Sequence, residues 1–168
     1  MLSYQLNLLR YFTPDERDLA GHPIDWSAYA FITMQELDRV RHDVGKPCVL
    51  IRGGHGPLKE TAIDAVFPEA AFSTVVLALM RSGFSKGFYQ GGSIHLDHIM
   101  GPSGLARCWM AFKPAQAEAI ANRGLIGLRA YAKDGWEYYQ WGHRRSWDLL
   151  AYLVELNEGR IADASVTV

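Results

Sequence analysis

The sequence predicts an α+β fold in which a central antiparallel sheet is flanked by helices. Two helical patterns in the first half enclose a short β-favouring run, and three further β-favouring runs follow them, separated by glycines. The chain has 168 residues, of which 49% are hydrophobic, enough to bury the core of one domain. There is no internal repeat or linker. We therefore predict a single domain over residues 1–168.

The first half alternates between helix and strand. The stretch TMQE has the form of a capping box and predicts a helix near 33–44, which ends at Gly45. The run CVLIR, residues 48–52, favours a strand. The apolar stretch AAFSTVVLALMR, residues 71–82, predicts a buried helix that Gly83 closes.

The second half begins with β-favouring runs and then returns to a helical pattern. KGFYQ, SIHLDHI and ARCWMAF are short and separated by turn residues, which predicts an antiparallel meander. An alanine-rich helix is expected at 115–122, and a second helix from Ser146, with Trp147 and Val154 on one face, to Gly159. Residues 113–168 are thus expected to form a helical C-terminal extension.

Composition and charge exclude several classes of protein. The formal net charge is −1, which argues against the basic surface of a protein that binds nucleic acid. The two cysteines, Cys48 and Cys108, lie in apolar runs and are predicted to be buried thiols. The N-terminal stretch lacks the pattern of a signal peptide, and no segment is long and apolar enough to span a membrane. Synthesis in the cytoplasm is expected.

The histidines are the first candidates for chemistry, since imidazole is a common zinc ligand. Of the six, His22 lies in a Gly-His-Pro turn and His42 on the polar side of the first helix, so both are predicted to be solvated. His143 heads an Arg-Arg segment and is interpreted as a surface residue. The remaining candidates are His55, His95 and His98.

The stretch GGSIHLDH holds two of these candidates. On a strand, alternate residues point to the same face, so His95 and Asp97 share one face while Leu96 and His98 share the other. If Leu96 faces the core, His95 and Asp97 face a cleft or solvent. Taken alone, the run also fits a plain strand with polar residues on its outer face.

A series of motifs runs in order through residues 30–112: LDRVRHDVGKP, VLIRGGH, TAIDAVFP, VVLALMRSG and GFYQGGSIHLDH. The series resembles the zinc D-alanyl-D-alanine carboxypeptidase and murein endopeptidase family, which shares its fold with the signalling domain of hedgehog proteins. Ala62-Ile63-Asp64 matches the Ala-x-Asp end of one family motif. His95 with Asp97 matches a His-x-Asp form, followed here as in the family by a Gly-Pro turn and a tryptophan, Trp109. The resemblance implies a hedgehog/DD-peptidase-like fold.

The resemblance also implies a catalytic zinc site. Its ligands would be His55, Asp64 and His95, and the bound metal would activate water for attack on a peptide carbonyl. Asp97 or Glu60 would act as the catalytic acid or base, and for Asp97 the orientation of a metal ligand is favoured over that role. Residues that would contact the substrate are Arg52 and Tyr89.

Two positions depart from the family pattern. The histidine that precedes Asp64 falls at Pro57 in the family spacing, so His55 requires a longer loop. Many members carry an acidic residue three positions before the later histidine, where this chain has Gly92. The acid would therefore have to come from elsewhere in the chain.

The resemblance leads to one expected function and two alternatives. The expected function is a zinc peptidase that cleaves stem peptides of bacterial peptidoglycan, as a phage lysin or a virion-associated wall-degrading protein. The first alternative is an inactive phage structural or binding protein that keeps the fold and contacts other virion proteins. A nuclease built on paired histidines ranks last, because His95-Leu96-Asp97 breaks the pair and the net charge is nearly neutral.

Overall fold

The structure of the protein is a computed structural model. The structure describes residues 1, 3–53, 62–89, 92–97, 108–112, 128–133, 136–141, 151, 154–155 and 157–159, and for residues 52–53, 89 and the stretches between 108 and 141 it describes the backbone alone. The helices are α1 (Ser3–Leu6), α2 (Phe31–Val44) and α3 (Phe72–Met80), with a 3₁₀ turn at Trp26–Ala28. The strands are β1 (Val49–Gly53), β2 (Ala62–Val66), β3 (Ser85–Tyr89), β4 (Ile94–Asp97), β5 (Cys108–Phe112), β6 (Leu128–Lys133) and β7 (Trp136–Trp141).

The strands form one seven-stranded sheet in the order β1-β2-β4-β3-β5-β7-β6. The first four of these pair with one another in antiparallel fashion, so the predicted α+β class with an antiparallel sheet is confirmed. The predicted meander is wrong at its third strand, because β5 pairs with β3 in parallel instead of with β4. A parallel pair of strands cannot be joined by a tight hairpin and needs a longer connection.

The prediction of a wholly helical extension over 113–168 is also wrong. β6 and β7 lie in this part and form an antiparallel pair that joins the sheet through β5. The run WEYYQW of β7 is rich in aromatic residues, which fit the pleated surface of a strand better than a helix. Residues 151, 154, 155 and 157 are helical, in agreement with the helix expected before Gly159, whereas the helix predicted at 115–122 lies outside the described residues.

Helix α2 starts earlier than the capping box predicts. Its N-cap is Ala30, and within the described part of the chain no side chain caps the first turn. Thr33, the predicted cap, lies inside the helix, where its buried hydroxyl finds no hydrogen-bond partner among the described residues. The earlier start brings Phe31 against the apolar core, and packing supplies most of a helix's stability in proteins. The helix ends at Gly45, in the left-handed conformation (φ 69°), as predicted.

The core lies between the sheet and the helices α2 and α3. Ile63, Ile94 and Leu96 of the sheet are fully buried, as are Leu37 of α2 and Leu79 of α3. They belong to one apolar cluster that also receives Leu6, Leu9 and Phe12 from the N-terminal segment. Cys48 is buried in the same cluster, as predicted, and burial raises the pKa of its thiol. The side chain of Cys108 is outside the described part.

Lys86 is the one fully buried charged side chain in the described part of the chain. It projects from β3 to the core side of the sheet, opposite Leu96 of β4. Its ammonium Nζ donates to the carbonyl oxygen of Leu79 at 2.5 Å and lies 3.4 Å from that of Ser82. The positive charge therefore lies at the C-terminus of α3, where the helix dipole is negative.

In the part of the chain that the structure describes, no helix has both the length and the apolar character needed to cross a membrane.

Candidate active site on strands β2 and β4

The centre of the candidate site is a side-chain pair on two neighbouring strands. Asp64 of β2 and His95 of β4 are directly opposite each other in the antiparallel register. The Oδ1 atom of Asp64 and the Nδ1 atom of His95 are 2.7 Å apart, which is a strong hydrogen bond. Both side chains are 17% exposed, so the pair is accessible without lying free in solvent. Two of the three predicted zinc ligands are thus brought into contact.

Strand alternation sets the face on which this pair lies. Ile63 and Leu96, the neighbours of Asp64 and His95, are fully buried against the helices. Asp64, His95 and Asp97 are only partly buried and point to the opposite face of the sheet. The expectation that His95 and Asp97 share a face, with Leu96 facing the core, is confirmed.

The chemistry of the pair fits a zinc ion, because imidazole and carboxylate are both zinc ligands. With ligand bonds of about 2.0–2.1 Å and tetrahedral angles, two donor atoms on one zinc are about 3.3 Å apart. The contact of 2.7 Å between Asp64 and His95 is shorter. The pair would therefore have to open slightly to share a metal, or Asp64 would accept the Nδ1 proton and leave Nε2 of His95 to bind it, an arrangement common in zinc proteins.

Two residues of β3 that the sequence did not single out lie beside the pair on this face. On the side of His95 away from Asp64, the facing residue is Gly87 of β3, which contributes no side chain. Ser85, two residues earlier, is opposite Asp97 and is buried. Only the strand register reveals them, since neither residue type stands out in the sequence.

Tyr29, in the segment before α2, is a core residue whose pKa responds in part to the charge of Asp64. Its side chain is buried, and this burial raises its pKa to about 12, with a smaller contribution from the negative charges of Asp18, Asp25 and Asp64. Burial and these charges thus all favour the neutral form of the phenol. No local sequence pattern indicates this influence of Asp64 on Tyr29, because more than thirty residues separate the two.

Gly92 has a conformational reason to be glycine. Its φ is +84°, in the region that side-chain-bearing residues rarely adopt. A Cβ atom at this position would lie 3.7 Å from Cδ2 of Phe72, an ordinary contact, so backbone conformation and not space disfavours other residues. The acid that many members of the resembled family carry here would strain this backbone.

We expect Gly92→Ala to lower the free energy of unfolding by about 1–2 kcal/mol, the cost of a positive φ for a residue with Cβ. The matched control is Gly83→Ala, because Gly83 has no positive φ. The nearest atom to a Cβ added there would be Oε1 of Glu36, at 4.0 Å, so the methyl group has room. That control should stay within about 0.5 kcal/mol of the parent. Urea unfolding followed by circular dichroism measures both. Equal losses in the two variants would contradict the conformational account of Gly92.

The other predicted site residues are described in part or not at all. Arg52 is opposite Asp64 in the register of β1 and β2, and Tyr89 ends β3, but the structure describes only their backbones. His55, Glu60 and His98 lie outside the described residues. The two histidines predicted to be solvated are exposed, His22 beside Asp18 and His42 in contact with Tyr11.

Within the described ranges, no group of three or more histidine, cysteine, aspartate or glutamate side chains is placed to hold a metal ion. The third predicted ligand, His55, is not among these residues. Comparison with protein families, with curated proteins and with solved structures finds no match to this chain.

Proposed function

We propose that the protein is a zinc-dependent peptidase that cleaves stem peptides of bacterial peptidoglycan, with a hedgehog/DD-peptidase-like fold. The observation that carries the proposal is the contact between Asp64 and His95. Thirty-one positions apart in the sequence, they are the two residues that match the family's ligand motifs, and their side-chain atoms are 2.7 Å apart. A chance similarity of motifs would not require the two residues to meet on one face of the sheet.

His55, Asp64 and His95 would hold the metal. When bound, zinc supplies a Lewis acid that makes water nucleophilic near neutral pH. Without metal, Asp64 orients the imidazole of His95 through their hydrogen bond, and this contact would open slightly for both side chains to bind the ion. Asp97, two residues from His95 on the same face, is about 7 Å along the strand and offers a carboxylate that moves a proton to the leaving amine or orients a ligand. Glu60 is the second candidate for the acid.

The second candidate function is a phage structural or binding protein without catalysis, whose partners are other virion proteins. Gly92 favours it, because its φ of +84° suits glycine and disfavours the acid that many members of the family carry there. In this alternative the zinc ligands hold the fold together and no peptide is cut.

Metal content and peptidoglycan digestion test the proposal together. Protein purified with zinc present should contain about one zinc per chain by elemental analysis, as expected for three protein ligands with one position open. It should release fragments from purified peptidoglycan, lose this activity with a chelator, and regain it when Zn²⁺ is added back.

The two candidate functions predict different outcomes of this test. Stoichiometric zinc without release of fragments at any pH near 7 would contradict the peptidase and support the binding protein. The absence of any stoichiometric transition metal would contradict the zinc site itself.

A further inference from the structure

The register of the sheet continues the face of the candidate site across the strands β3, β5 and β7. Gly87 of β3 pairs with His95 on one side and with Trp109 of β5 on the other. Trp109 in turn pairs with Gln140 of β7. Residues that pair directly across neighbouring strands lie on the same face of a sheet, so this row extends the face that carries Asp64 and His95.

Aromatic residues are concentrated on this part of the face. Successive residues of a strand alternate between the two faces, so positions two or four apart from Gly87, Trp109 and Gln140 belong to the same face. With the pairing of β7 to β6, the aromatic residues placed on it are Tyr89, Trp109, Tyr131, Trp136 and Tyr138. We call these residues the aromatic face.

The aromatic face begins close to the candidate site. The strand β3 lies between β4 and β5, and neighbouring strands are about 4.8 Å apart, so the backbones of His95 and Trp109 are about 10 Å apart. Gly87 lies between them and contributes no side chain. A ligand bound at Trp109 would therefore lie next to the Asp64–His95 pair.

The composition of the aromatic face differs from that of the other side of the sheet. On the helix side, β2 and β4 contribute aliphatic residues to the core, Ile63, Ile94 and Leu96. A sheet face in water is instead mainly polar. Tryptophan and tyrosine combine an apolar ring with a hydrogen-bonding group, and both are enriched where proteins bind partners. The aromatic face therefore has the residue types of a binding surface.

Charge indicates which class of ligand fits. Among the described positions of this face on β3, β5, β6 and β7, only Lys133 is charged, and it pairs with Trp136 on the edge strand β6. A groove for single-stranded nucleic acid combines its aromatic residues with a positively charged track, whereas the net charge of this chain is −1.

A neutral chain of sugar rings needs no such track. The apolar C–H side of a sugar ring packs on an aromatic ring, and its hydroxyl groups form hydrogen bonds with groups such as the tyrosine hydroxyl or the glutamine amide. The aromatic face offers the rings, and Gln140 lies in the same row of the sheet as Trp109. An uncharged carbohydrate is thus the ligand class that matches both the residue types and the charge.

We propose that the aromatic face is a carbohydrate-binding surface that seats a neutral glycan chain beside the Asp64–His95 pair. Trp109, Trp136 and Tyr138 are the residues that carry the binding. The inference goes beyond the proposed peptidase and does not rest on it, because binding of a sugar chain requires neither zinc nor catalysis.

Titration of the zinc-free full chain with neutral oligosaccharides tests the surface. The probes are the linear tetramers of N-acetylglucosamine and of glucose, measured by calorimetry, with a single-stranded oligonucleotide for comparison. At least one tetramer should bind, and the oligonucleotide should not. Tighter binding of the N-acetylglucosamine tetramer would assign the surface to acetylated amino sugars, and equal binding would assign it to neutral glycans in general.

Trp136→Thr should weaken tetramer binding at least about tenfold, the loss typical of a tryptophan that anchors a ligand. Threonine favours strands, so the midpoint of unfolding should stay close to that of the parent. Trp136→Phe keeps an aromatic ring and should keep most of the affinity. The matched control is Glu137→Thr, because Glu137 is the next residue of β7 and lies on the other face. This control should bind as the parent does.

Each outcome supports or overturns the carbohydrate-binding surface. Failure of both tetramers to bind would overturn it, as would binding of the oligonucleotide in their place or an affinity that survives Trp136→Thr. Should Trp136→Thr fail to fold, Tyr138→Thr replaces it with the same loss expected. Because the titration uses zinc-free protein, binding supports the surface even if the chain takes up no zinc. Peptidase activity without binding of either tetramer would retain the proposed function and remove the surface.

Discussion

His95→Ala should abolish zinc binding, with an affinity for zinc more than about 100-fold below that of the parent. Groups that only orient a metal ligand are worth about 10–100-fold in affinity, and a ligand itself contributes more. The substitution also leaves the carboxylate of Asp64 without the imidazole that lies 2.7 Å from it. Elemental analysis after dialysis measures the zinc, and release of peptidoglycan fragments should fall below detection.

Three further variants show whether the effect belongs to the site. Asp97→Asn should keep its zinc and lose about 10²–10⁴-fold in rate if Asp97 moves the proton. His98→Ala should lose much less zinc than His95→Ala, since the sequence alternation predicts that His98 and His95 point to opposite faces. His22→Ala is the surface control, because the His22 side chain is 77% exposed and contacts Asp18. A His95→Ala variant that retains zinc would rule out the proposed ligand set.

Lys86→Ala should lower the free energy of unfolding by about 4 kcal/mol. The substitution removes three buried methylenes, each worth about 0.8 kcal/mol. It also removes the ammonium group from the C-terminus of α3, where a charge in a buried position contributes up to about 2 kcal/mol. The midpoint of urea unfolding, with an unchanged slope, measures the loss.

Lys86→Met separates packing from charge. Methionine fills most of the space of the lysine methylenes but donates no hydrogen bond to Leu79. The carbonyl of Leu79 also accepts from the backbone N–H and the hydroxyl of Ser82, so it keeps partners in this variant. We expect a loss of only about 1–2 kcal/mol. If Met and Ala cost the same, the packing of the lysine methylenes contributes little and the charge accounts for the effect.

The elements around the candidate site were largely predictable from local sequence patterns. Apolar periodicity gave α2 and α3 near their observed bounds, and alternation assigned Leu96 to the core and His95 to the other face. These features depend on neighbours within one helix turn or one strand. The pairing of Asp64 with His95 is not local, and the resemblance to a known family, not periodicity, suggested that the two residues meet.

Other features could not be derived from the sequence because they depend on distant packing. The helix α2 begins at Phe31, which packs against the core, and not at the capping box that the local sequence offers. The parallel pairing of β5 with β3 is a long-range choice of partner that no local residue pattern predicts. Burial of Lys86 contradicts the usual preference of lysine for the surface, and only its position below the end of α3 explains it.

The parallel pairing of β5 with β3 has a consequence for how the chain avoids aggregation. Without β5, the strand β3 would be the edge of a four-stranded sheet, with a row of unpaired backbone groups able to recruit a strand from another molecule. On the opposite edge, the N–H of Leu19 donates to the carbonyl of Leu50 in β1 at 2.8 Å. This hydrogen bond pairs one of the backbone carbonyls that the edge strand would otherwise expose. The strands that follow Asp97 thus protect the open flank of the half of the sheet that carries the candidate site.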